Sequence, residues 1–298
     1  MIVVVGETLI DLVVASDGVT AAPGGAPYNV ARACARLGAP TTLVTSLSDD
    51  RFGRLLEAGL FDAGVDTAQV QRTDRPTTLA VAQLDDDGVA SYGFYTEGTS
   101  APLGQPGPLP AAATALVTGG LALVLEPMAG AVERLVLDTA GTALVVVDVN
   151  SRPGAITDRQ TYVERSRRVL AGADVVKVSE EDIEYVLEDA SIEAAAAELL
   201  AAGARVVLVT AGGGSTTIVT AEGTLSVPVT AVETVDTIGA GDGFTAGFVT
   251  WWTEQALARS ALDELSTVAE AVAAAHAVAA VVVTRRGANP PTRAELPA

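Results

Sequence analysis

Residues 2–6, IVVVG, are apolar almost without a break, the pattern of a strand covered on both faces. Comparable runs recur at 41–47 (TTLVTSL), 114–119 (TALVTG), 143–149 (ALVVVDV), 173–178 (ADVVKV) and 205–211 (RVVLVTA). Between them, apolar residues at helical spacing occupy 27–37, 50–63, 128–140, 158–171 and 191–202. Strand and helix alternate, which predicts an α/β fold: a doubly wound, mostly parallel sheet flanked by helices. Residues 9–15 (LIDLVVA), 78–84 (TLAVAQL) and 89–95 (VASYGFY) break this rhythm, being strand-like with no helix between them. DDDG joins the last two as a hairpin turn. They predict a small antiparallel β lid, formed from about 9–15 and 78–95. An open sheet face must be covered, so the lid is expected to close over a ligand, to pair with a second subunit in a homodimer, or to do both. The proline-rich stretch 102–110 is the candidate flexible connection, and 1–298 is expected to form a single domain.

Composition narrows the partners. With 298 residues and 49% hydrophobic side chains, the chain can bury a large core. Eighteen basic against thirty-seven acidic residues give a net charge of -19, which repels nucleic acid and anionic membranes and favours a small-molecule partner. The one cysteine, Cys34, excludes an intrachain disulfide and is expected to pack in the core. A single His with a single Cys cannot make a zinc cluster. The longest apolar run, 271–283, falls short of the ~20 residues of a membrane span and contains His276. No basic segment and long apolar run follow Met1, so the expected location is cytoplasmic.

Candidate chemistry concentrates at 236–244, DTIGAGDGF, just before an apolar helical stretch. Gly239, Ala240 and Gly241 are small enough for backbone amides to approach a ligand closely, and a helix opening there offers unpaired N–H groups to phosphate oxygens. Asp242 then stands where it can accept a hydroxyl proton, or it simply caps the helix. Gly241, Gly243 and Ala246 also fit a loose dinucleotide pattern, but that pattern belongs after the first strand and here follows most of the sheet. The only lysine, Lys177, follows no glycine loop, so there is no Walker A motif. GGAPYNVARACARLG at 24–38 places two glycines ahead of Asn29, suited to a polyhydroxylated ligand or, for Asn29 alone, to a cap. Asp11 is either a chelator of sugar hydroxyls or a strand-end charge. DVNSRPG (148–154) and TAGGG (210–214) leave the carboxyl ends of strands, the edge where open α/β sheets bind ligands.

Taken together, these segments resemble the ribokinase-like, or PfkB, family of carbohydrate kinases, most closely its bacterial fructokinase branch. The resemblance runs from VVVGETLIDLV through GGAPYN, FYTEGTSAPL, DVNSRP and KVSEEDIEYV to DTIGAGDGF and RRGANPPTRAEL. It implies an ATP-dependent kinase, a fructokinase, that moves the γ-phosphoryl group to a primary sugar hydroxyl. Kinases of 2-keto-3-deoxygluconate, ribose or a nucleoside are the alternatives, as is a non-catalytic sensor of sugar or nucleotide. By the resemblance, Asp242 is the general base, and Gly239, Ala240 and Gly241 complete an anion hole with it. Asp11, Gly24, Gly25, Asn29, Tyr95 and Arg152 face the sugar; Lys177, Thr210, Gly212 and Gly241 border the nucleotide. Glu181 and Asp182 are the carboxylates for Mg2+ through water, and Asp236 and Ile238 belong to a monovalent-cation loop for K+. His276 is expected to be a packed helical residue that comes near the adenine. One departure is Ser48, in SLSDDRFG, where the family usually has glycine.

Overall fold

The computed structural model describes residues 1–15, 18–84, 90–187 and 191–297. The chain opens with β1 (Ile2–Val5), then a hairpin of β2 (Leu9–Ala15) and β3 (Gly18–Gly24). Next come α1 (Ala26–Arg36), β4 (Thr41–Ser48), α2 (Arg51–Ala63) and β5 (Val70–Thr73). A second pair of strands, β6 (Leu79–Leu84) and β7 (Ala90–Tyr95), leads into β8 (Ala115–Gly119), α3 (Met128–Thr139) and β9 (Leu144–Asp148). There follow α4 (Arg159–Ala171), β10 (Val175–Ser179), α5 (Glu180–Val186), α6 (Ile192–Ala202) and β11 (Val206–Thr210). The chain ends with β12 (Ser215–Thr220), β13 (Thr224–Pro228), α7 (Ala240–Glu254) and α8 (Leu265–Val283).

Nine strands form the main sheet in the order β13-β12-β11-β10-β9-β8-β1-β4-β5. From β11 to β5 every pairing is parallel, and only β12 and β13 run antiparallel, at one edge. The continuous apolar runs are explained by cover on both faces: β1, β4, β8 and β9 are buried at every position. Because β1 pairs with β4 on one side and β8 on the other, the winding reverses there. Ligands of open α/β sheets enter at such a point, beyond the carboxyl ends of the strands.

The lid is a four-stranded sheet ordered β3-β2-β6-β7. It consists of two antiparallel hairpins joined by a parallel β2–β6 pairing. The turn expected at DDDG lies outside the described residues. Residues 102–110, expected as a flexible connection, are instead tied to the edge of the main sheet. Gln71 Nε2 donates to the Gln105 carbonyl at 2.6 Å, and Gln105 N donates to Gln71 Oε1 at 3.2 Å.

Two local departures from simple expectation have clear causes. Ser48 keeps its turn by bonding: its hydroxyl accepts from Asp50 N at 3.0 Å, while Gly53 packs so closely that a Cβ would come within 1.9 Å of the Ser48 carbonyl oxygen. The run 271–283 is part of a longer helix, α8, which by length and composition alone could cross a membrane. Here it packs on α7 through glycines. A Cβ on Gly247 would come within 2.8 Å of Ala275 Cα, and one on Gly243 within 2.9 Å of Val282 Cγ2. Cys34 is buried, as expected.

Candidate active site

Two cavities open along the carboxyl edge of the main sheet. The larger, about 1290 Å³, is lined by Thr210, Gly212, Val229, Val232, Phe244 and His276, among others. The smaller, about 610 Å³, is lined by Glu7, Asp11, Gly25, Asn29, Phe94 and Asp242, among others. They meet at Asp148, Arg152, Lys177, Thr237 and Gly241, which line both. The first turn of α7 therefore stands between them.

That turn is shaped by Gly239, the N-cap of α7, at φ 80°. A side chain there would be strained, and its Cβ would fall 2.7 Å from Ala288 Cβ. Ala240 N turns back to the Thr237 carbonyl at 3.1 Å, and Gly243 N bonds to the Gly239 carbonyl at 2.8 Å. Of the four amides expected in the anion hole, that of Ala240 is thus spent inside the turn, which leaves those of Gly239, Gly241 and Asp242.

Asp242 is buried, and its Oδ2 accepts from Asn29 Nδ2 at 2.8 Å. Burial is the main cause that pushes its carboxyl up to about 6; Asn29 pulls it down, Asp148 raises it further, and Lys177 and Arg152 oppose that. Beneath the turn, Lys177 Nζ donates to Asp148 Oδ2 at 2.7 Å, and the Thr245 hydroxyl donates to the same oxygen at 3.1 Å. The pair is nearly closed off from solvent, at 7% and 6% exposure. Neither the Asp148–Lys177 pair nor Glu7 stands out in the sequence.

In the smaller cavity, Asp11 is likewise pushed up to about 6 by burial, with Arg152 pulling it back. Gly24 makes room for it: a Cβ at Gly24 would come within 2.0 Å of Asp11 Oδ2. Gly25, at φ 103°, starts α1 and directs Asn29 toward Asp242. Tyr95 is not brought to either cavity; it is 58% exposed, whereas Phe94 lines the smaller cavity. Neighbouring residues of a strand face opposite ways, so only one of the two can point inward.

On the other side, Thr210 and Gly212 line the larger cavity. His276 does too; it is buried, with Nε2 2.9 Å from the Thr216 hydroxyl and its ring against Phe244. Asp182 is committed to bracing. Its Oδ1 accepts from Ser151 N and Oγ at 2.7 and 2.5 Å, and its Oδ2 from Ser179 N and Oγ at 2.9 and 3.0 Å. Glu180, Glu181 and Glu184 are exposed on the cavity wall. Among the described residues no three His, Cys, Asp or Glu side chains cluster to hold a metal ion. Asp236 ties two loops together, accepting from Ile238 N at 3.0 Å and Gly287 N at 2.8 Å, and Ile238 borders the smaller cavity.

A family model described as "pfkB family carbohydrate kinase" matches residues 1–295. The chain belongs to the pfkB family of carbohydrate kinases. It is 35% identical over 257 residues to a fructokinase of Rhizobium leguminosarum bv. trifolii, covering 84% of this chain and 78% of that one. The fold is similar to a fructokinase of Xylella fastidiosa crystallised with bound ATP, with a TM-score of 0.89 and 28% identity, over 99% of this chain and 94% of that one. It is also similar to a fructokinase double mutant of Vibrio cholerae O395 crystallised with fructose, ADP and potassium ion. There the TM-score is 0.84 and the identity 25%, over 96% of this chain and 93% of that one. This pfkB chain is accordingly a sugar kinase, a phosphotransferase with an alcohol acceptor.

Proposed function

We propose that this kinase is an ATP-dependent fructokinase, with ATP in the larger cavity and fructose in the smaller. The observation that carries the reading is the position of α7: its first turn divides the cavities, with Gly241 lining both and Asp242 in the wall of the smaller one. Phosphoryl transfer needs little covalent help from a protein; it needs the two reactants aligned and the charge on the moving group stabilised. The amides of Gly241 and Asp242, with the positive end of the α7 dipole, hold the terminal phosphate. Lys177 sits just below the turn, its Nζ 3.4 Å from where a Gly241 Cβ would lie, and adds positive potential there. Asp242 accepts the proton of the primary hydroxyl as its oxygen attacks phosphorus. Asn29 fixes the carboxylate for that step, and Asp11 and Arg152 hold the rest of the sugar.

Magnesium fits this donor set, because Mg2+ keeps waters and binds phosphates rather than all-protein cages. Glu181, free on the cavity wall, is the carboxylate for its water, while Asp182 holds the wall in place. When bound, the ion neutralises phosphate charge, which matters in a chain of net charge -19. Asp236 and Ile238 form the side of a loop pair suited to K+, which would steady the turn from below. The outer strand of the lid, β3, carries Val19 at 63% exposure, and a second copy of the chain is the proposed cover for that sheet.

Two measurements test the reading. With ATP and Mg2+, ADP release on fructose should exceed that on ribose, 2-keto-3-deoxygluconate or a nucleoside, and ³¹P NMR should locate the ester on a primary carbon. No turnover on any of them would point to a sensor instead. Since Asp242 must be ionised to act and burial pushes its carboxyl up to about 6, kcat should hold above that value and fall as pH drops through it. Asn29→Ala removes a bond that favours the ionised form, so the midpoint should move up; an unmoved midpoint would assign the limb to another group.

A further inference from the structure

Glu7, which lines the smaller cavity with Asp11, Asp148 and Asp242, takes no part in the chemistry above. It is 3% exposed, and its Oε2 is buried without a hydrogen-bond partner. A carboxyl group so placed is costly to the fold. Its surroundings indicate what it does. The helix α1 begins at Gly25 with no side-chain cap and no acidic residue in its first turn, leaving its opening amides to be satisfied from elsewhere. Glu7 lies directly against that opening. A Cβ on Gly25 would come within 2.7 Å of the Glu7 carbonyl oxygen, and the Glu7 carboxyl is drawn to the amide of Ala26. From the loop after β9, the Arg152 guanidinium attracts Glu7 as it attracts Asp11 and Asp242.

We propose that Glu7 is a positioning residue of the sugar pocket. Its ionised carboxyl caps α1 from outside the helix and draws Arg152 across the cavity, so that Gly25, Asn29 and Arg152 converge on the sugar. The proposal rests on the smaller cavity being the sugar site. The groups that act on Glu7 are Asp242 from α7, Arg152 from the loop after β9 and the amides of Glu7 itself and of Ala26 at the start of α1, while Asp11 from β2 lines the same cavity. Burial pushes the Glu7 carboxyl up to about 7, its own amide and Arg152 pull it back, and Asp242 raises it. The charge that does the positioning is therefore gained and lost across neutral pH.

The test is Glu7→Gln, which keeps the shape and removes the charge. In the wild type, KM for fructose should rise as pH falls from 8 to 6 while KM for ATP stays flat. In the variant, KM for fructose should be raised about tenfold already at pH 8, the scale of a lost cap plus a lost ion contact, and change little from 8 down to 7. Its kcat should change far less than its sugar KM. The variant should also keep or raise Tm at pH 8, because a carboxyl with an elevated pKa disfavours the fold once it is ionised. A flat fructose KM in the wild type, an unchanged KM in the variant, or a lower Tm with both KM values moving together would overturn the proposal. Wild-type turnover of fructose in the same assay tests the fructokinase reading separately, and if another sugar proves to be the substrate, the same comparison is made with it.

Discussion

Asp242→Asn is expected to lower kcat by about 10²–10⁴, the range for loss of a general base, with KM for ATP little changed. The amide matches the carboxylate in size and can keep a bond to Asn29, but it cannot take the hydroxyl proton. The same substitution should stabilise the protein at pH 8. Burial moves this carboxyl from the ordinary 3.8 to about 6, so the fold prefers the protonated form by up to about 3 kcal/mol. That penalty is absent below pH 3.8 and complete above about 6, and an amide escapes it throughout. A helix cap would behave in the opposite way, with activity retained and stability unchanged or slightly reduced. Chemical denaturation at pH 5 and pH 8, set beside single-turnover rates, separates the two roles. Wild-type kcat in the variant would remove Asp242 from the chemistry.

Lys177→Met should give the largest loss of stability. Among the described residues its ammonium is the only charged partner of Asp148 in an ion pair, and the other oxygen, Oδ1, is buried with no hydrogen-bond partner. Removing one member of a buried pair leaves an uncompensated charge, at a cost of about 3–5 kcal/mol. Replacing both, as Lys177→Met with Asp148→Asn, should recover most of that loss, because the penalty comes from the stranded carboxylate. Activity should not return with stability. The double variant still lacks the positive charge under the turn proposed to hold phosphate, so its KM for ATP should stay high. Urea denaturation of the single and double variants measures the first effect; a double variant as unstable as Lys177→Met would contradict it.

The parallel core was legible because continuous apolar runs such as IVVVG and ALVVVDV mark strands covered on both faces. The strands that escaped notice lack that mark. In β3, GVTAAPG is mostly exposed, and in β13, TLSVP is exposed at four of five positions, so little apolar pattern was left to read. The loop after the β12–β13 hairpin brings Val229 and Val232 to the wall of the larger cavity.

The candidate site divides in the same way. Asp242 and its glycines were legible because a cluster of helix-weakening residues at a helix start has few other uses. Asn29 was legible as a sugar-facing candidate but not as the partner of Asp242, from which it lies 213 positions away. Asp148 and Lys177 are adjacent only because β9 and β10 pair in the register that sets one opposite the other. Tyr95 was assigned inward when the strand's alternation gives that face to Phe94, a slip of one residue that period-two geometry makes easy. Glu7 is invisible in sequence because its meaning lies in burial and in a missing partner.

The most direct measurement is a crystal structure with fructose and a non-hydrolysable ATP analogue. The terminal phosphate should lie within hydrogen-bonding distance, about 2.7–3.2 Å, of the Gly241 and Asp242 amides. A primary hydroxyl of fructose should stand between that phosphate and the Asp242 carboxylate. A phosphate chain bound away from the first turn of α7, or a sugar whose hydroxyls cannot reach Asp242, would contradict the account.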